Sequence, residues 1–109
     1  MSKILPEGVT QDQVNTWKEK YGKVKVITVK RENGKEVQFV IGQPTREILD
    51  SWAHYHNNDQ IAKARGVLKG SCILHGDQSL FDKDVNLEST VLKKVQEMLV
   101  TLEAEEKEL

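Results

Sequence analysis

The sequence predicts a single α+β domain: an N-terminal helix, one β-hairpin, then three helices with a short apolar segment before the last. Three observations carry this. A complete helix start stands at Thr10, two β-branched runs flank Asn33-Gly34, and apolar residues recur at helical spacing through most of the chain after Pro44. At 109 residues one hydrophobic core is expected, and two Trp, two Phe and two Tyr among many Val, Ile and Leu exclude a disordered composition despite 30% charged residues.

The first helix is justified by its ends. Thr10 is placed as N-cap, Gln13 closes a capping box, and Val9 and Val14 occupy the positions of a hydrophobic staple. Val14, Trp17 and Tyr21 form a one-sided apolar stripe, and Gly22 is suited to the left-handed conformation that ends the helix. The hairpin follows in "KVKVITVKRENGKEVQFVI". A two-residue type I′ loop at Asn33-Gly34 pairs Glu32 with Lys35, Val26 with Ile41 and Thr28 with Phe39. Val24, Val26, Thr28, Val37, Phe39 and Ile41 then face the core, while Ile27, Val29 and Val40 lie on a mixed outer face that a second element or a partner covers.

Pro44-Thr45 ends the strand and caps a second helix to about Asn57, with Ile48, Leu49, Trp52 and either Tyr55 or His56 inward. Asn57 with Gln60 repeats the capping logic for a third helix, whose Ile61, Ala64 and Leu68 line one side and whose Gly70 is the stop. After the apolar Cys72 segment, "NLESTVLKKVQEMLVTLEAEEKEL" reads as a helix with Val91 or Leu92, Val95, Met98 or Leu99 and Leu102 inward. Its acidic end opposes the helix dipole, so the domain is expected over 1–102 and a frayed acidic tail over 103–109.

A single Cys precludes an internal disulfide and fits a reducing compartment. The N-terminus lacks the apolar run of a secretory signal and no stretch approaches the ~20 apolar residues of a membrane span, so the cytoplasm is the expected location. The net charge of −1 conceals an asymmetry. Lys23, Lys25, Lys30, Arg31 and Lys35 cluster in the hairpin, a candidate phosphate-binding surface, whereas the last residues are acidic. No RNA-recognition or helix-turn-helix signature accompanies the basic cluster.

"GSCILHGD", residues 70–77, gathers Cys72, His75 and Asp77 and raises the question of a catalytic or metal site. In an extended chain Cys72 and His75 point to opposite faces, and the two glycines oppose a helix. His54 and His56 lie far apart around a helix, so zinc spacing is lacking; a site would need His56, His75, Cys72 and Asp77 from separate segments. Without a positioned base or oxyanion donor, Cys72 is read as a packed apolar group, and no catalytic residue, metal or cofactor is expected. Trp17, Trp52 and Phe39 fall on apolar stripes, so core packing is a better reading for them than base stacking.

Taken in order, the hairpin with "GKEVQFVIGQPTREILDSW", the helix rich in small residues, and Cys72 with Gly76-Asp77 before a last helix resembles the small phage tail assembly chaperone-like proteins, as prophages encode them. The likeness runs from Trp17 to Leu102 through Pro44-Thr45, Ile48 and Leu49; Gly42-Gln43 departs from a basic residue there, and His75 from a smaller one. The resemblance implies a non-enzymatic protein-binding role in holding a long helical tape-measure protein, with Ile27, Val29 and Val40 as the expected contact residues and homo-oligomerisation open. The alternative from another class is a nucleic-acid-binding accessory protein using Lys23, Lys25, Lys30, Arg31 and Lys35.

Overall fold

A computed structural model describes residues 5–99 and 104–109. Its elements are α1 (Gln11–Tyr21), β1 (Val24–Lys30), β2 (Glu36–Gly42), α2 (Arg46–Asn57), α3 (Ile61–Cys72), β3 (Ile73–His75), a short 3-10 helix (Gln78–Asp82) and α4 (Val85–Glu97). The α+β class and the order of the helices and hairpin follow the sequence reading; the third strand does not.

α1 begins as its residues dictate. The Thr10 hydroxyl accepts from the Gln13 backbone N–H and the Gln13 side-chain oxygen accepts from the Thr10 N–H, while Gly22, at φ +80°, turns the chain out of the helix. Val9 is buried, as a staple residue should be.

The hairpin forms one residue out of the expected register. Arg31 N–H donates to the Lys35 carbonyl at 2.8 Å and Gly34 N–H to the Arg31 carbonyl at 2.9 Å, so Glu32-Asn33-Gly34 form a three-residue loop. Gly34, at φ +83°, supplies the left-handed residue such a loop needs, and the Asn33 side chain accepts from Lys35 N–H. Val26 therefore pairs with Val40, Ile27 with Phe39 and Val29 with Val37. A slip of one residue exchanges the two faces of a strand. Val37, Phe39 and Ile41 face the core as expected, but on β1 it is Ile27 and Val29 that join them, with Val24, Val26 and Thr28 on the other side. The physical gain is plain: this register directs Ile27 and Val29 inward instead of Val26 and Thr28, and so buries more apolar surface.

Ile73 to His75, expected as a connector, pairs antiparallel with β2 through Ile41↔Ile73 and Val40↔His75, with an irregularity between Val40 and Ile41. The sheet order is β1-β2-β3. Gly70 does not stop α3, which runs on to Cys72. On the core face lie α3, α4 and the 3-10 helix, whose Leu68, Cys72, Phe81, Leu87, Val91 and Val95 enclose Phe39 and Ile41. Phe81 stacks on Phe39 with ring centroids 5.3 Å apart. At the C-terminal end of α4, the C-cap Met98 is buried and Leu99 after it exposed, which settles that alternative; Leu102 lies outside the described residues.

α1 covers the far end of the opposite face. The Tyr21 ring lies against Gly42, where an added Cβ would sit 2.8 Å from the ring, and its hydroxyl donates to the Ser71 carbonyl at 2.7 Å. α2 packs on α3, contributing Ile48 and Trp52 to the margin of the core but no fully buried residue. Residues 104–109 are exposed and carry no regular structure.

Candidate functional site

The three residues expected to form one exposed contact patch do not share a surface. Ile27 and Val29 pack against the core cluster, and Val40, 1% exposed, points to the opposite face beneath α1. The reason is the register: Ile27 and Val40 alternate in facing because Val40 pairs with Val26.

Between α2, α3 and α4 the helices leave an open concave surface of mixed polarity. It is a groove of about 450 Å³ floored by Trp52, Ala64, Leu68 and Leu92 and edged by Ile61, His56, Arg65 and Lys93. Ala64, Leu68 and Leu92 are buried, whereas Ile61 is 46% exposed although it begins the same apolar line along α3. Trp52 is half-buried, and His56 stacks on it with centroids 4.7 Å apart. Arg65, on the polar edge with Ser89, Lys93 and Gln96, lies 3.8 Å from Glu88 on α4, which is also 3.6 Å from Lys69. Sequence periodicity gave Trp52 and Ile61 as inward residues, but a groove belongs to the angle between helices and has no local signal.

The basic hairpin residues are divided. Arg31 is held by Asp84, Nε to Oδ2 at 3.1 Å, and Asp84 also caps α4 by accepting from Leu87 N–H. The Leu87 hydrogen bond first, then the one from Arg31, hold the Asp84 carboxyl below its ordinary value. Lys23, Lys25, Lys30 and Lys35 are exposed and form no ion pair among the described residues. Lys25 and Lys30, five residues apart on one strand, point to opposite faces of the sheet.

The Cys72 stretch is wall and turn. Cys72 is fully buried, and burial pushes its thiol up to about 11, the reverse of what a nucleophile needs. His75 Nε2 lies 3.0 Å from the Glu7 carbonyl, and Asp77 accepts from the Ser79 backbone N–H and hydroxyl at the start of the 3-10 helix. Among the described residues no three His, Cys, Asp or Glu side chains converge as metal ligands, and no helix is long and apolar enough to cross a membrane. Comparison of the chain with protein-family models, with curated proteins and with solved structures gave no match.

Proposed function

We propose that the chain is a non-enzymatic protein-binding domain, acting in the cytoplasm, that seats a helical segment of its partner in the groove between α2, α3 and α4. The observation that carries this reading is Ile61, an apolar residue left 46% exposed beside half-buried Trp52 at the mouth of a groove with a buried aliphatic floor. An amphipathic helix laying its apolar face into such a groove is a recurring mode of recognition, anchored by a few aromatic and aliphatic contacts. The reading agrees with what the resemblance to phage tail assembly chaperones implies, a tape-measure-type protein as client and no cofactor. It moves the contact from Ile27, Val29 and Val40 to Trp52 and Ile61.

The test is calorimetric titration with a tape-measure-type protein encoded beside this chain. Ile61→Glu is expected to weaken association at least ~10-fold, as loss of a central apolar contact does, while leaving the melting temperature within about 2 °C because the side chain is exposed. Undiminished binding by this variant, or no binding by the unmodified protein, overturns the reading.

Nucleic-acid binding through Lys23, Lys25, Lys30, Arg31 and Lys35 is a second reading, favoured only by the four exposed lysines without ion pairs among the described residues. Engagement of Arg31 by Asp84 and the division of Lys25 from Lys30 leave it fewer phosphate contacts than the sequence suggests.

A further inference from the structure

β1 is an edge strand, and its hydrogen-bonding pattern defines what the edge offers. Arg31 N–H donates to the Lys35 carbonyl and Gln43 N–H to the Lys23 carbonyl, which fixes the pairs Lys25–Ile41, Ile27–Phe39 and Val29–Val37 as the hydrogen-bonded ones. The N–H and C=O groups of Val24, Val26, Thr28 and Lys30 consequently point away from β2, and none has a partner among the described residues. A seven-residue row of this kind is a template for another strand.

Two further observations state what kind of strand. Val26 is 42% exposed, and beside it a recess of about 160 Å³ opens between β1 and α1, lined by Val9, Val14, Val24, Val26 and Val40. A residue added opposite Val26 would stand over this recess. Along the same edge Lys25 and Lys30 are exposed, no carboxylate lies on β1, and neither lysine forms an ion pair among the described residues. Lysines on an edge repel a basic strand and lose hydration without compensation beside an uncharged one, so the edge discriminates by charge.

We propose that the outer edge of β1 binds an extended acidic segment of a partner protein by strand addition, with carboxylates opposite Lys25 and Lys30 and a β-branched residue over the recess beside Val26. Main-chain hydrogen bonds supply the attachment, while the recess and the two lysines select the sequence. The surface is separate from the groove of α2, α3 and α4, so the proposal stands whether or not that groove binds a helix.

The probe is a capped heptapeptide, Glu-Thr-Thr-Val-Val-Glu-Thr, which runs antiparallel from Lys30 to Val24 and places its glutamates opposite Lys30 and Lys25. With the isotope-labelled full chain, the peptide at about 1 mM is expected to slow amide exchange of Val26 and Thr28 at least ~10-fold. N-methylation of its third and fifth residues, which bond to Thr28 and Val26, should abolish the effect, whereas N-methylation of the fourth and sixth should preserve it. The analogue with lysines for glutamates should be inactive, and Lys25→Glu with Lys30→Glu should exchange the two preferences. No protection at that concentration, equal protection by the lysine analogue, or indifference to the site of N-methylation overturns the proposal. Protection of the same amides that rises with protein concentration alone would instead assign the edge to a second copy. An oligothymidylate that perturbs the lysines while the peptide leaves Val26 and Thr28 unprotected would assign the charge to phosphate.

Discussion

Asp84 serves two elements, accepting from Leu87 N–H at the start of α4 and from Arg31 at the end of the hairpin. Because both bonds favour its ionised form, the folded-state value lies below the ordinary 3.8. The resulting stability is present above the unfolded value and is lost as pH falls through the folded one. Asp84→Asn keeps a competent cap without the titration. Urea midpoints measured from pH 6 to about 2 should therefore fall less steeply in the variant than in the unmodified protein. Glycines give a second contrast. Gly76, at φ +133°, lies against Phe39 so closely that a Cβ would run into the ring, and Gly76→Ala should cost about 3 kcal/mol or more. Gly66 and Gly70 sit within α3 with nothing within 4 Å of an added Cβ, so Gly66→Ala or Gly70→Ala should stabilise by about 0.5–1 kcal/mol. Denaturation midpoints of the three variants decide both signs.

The elements whose signals are local were legible: the Thr10 capping box and the Thr45 cap that fix the starts of α1 and α2, and the 3–4 spacing that buries Val91, Val95 and Met98 on the inner side of the C-terminal helix. The hairpin was legible as an element but not in register, because Asn33-Gly34 fits a two-residue loop as well as the last two residues of a three-residue one. Only the burial of Ile27 and Val29 against the helices decides between them. β3 was not legible, since three residues become a strand solely because β2 offers an unpaired side. The register makes a direct prediction. Replacing Ile27 and Val40 together by Thr introduces hydroxyls at two packed sites on opposite faces of the sheet, and stability should fall by several kcal/mol. A loss below about 1 kcal/mol in the urea midpoint analysis would mean that these side chains are exposed after all.

Across the whole molecule, α1 has no fully buried residue and is fastened at its end, where Tyr21 lies on Gly42 and reaches the Ser71 carbonyl fifty residues later in the chain. The groove and the open edge of β1 arise from such long-range placements, which is why the sequence showed their residues but not their surfaces. Tyr21→Phe removes one hydrogen bond and should cost about 1 kcal/mol, with hydrogen exchange accelerated in α1 before the rest of the molecule. The same fastening has a consequence for biosynthesis. α1 leaves the ribosome ahead of the other elements described, yet both of its anchors, Gly42 in a paired strand and Ser71 near the end of α3, are made later. An isolated helix of eleven residues is marginal in water. The helix with the most complete local start is thus the one that must wait, docking only when fifty further residues have emerged and the sheet it closes is in place.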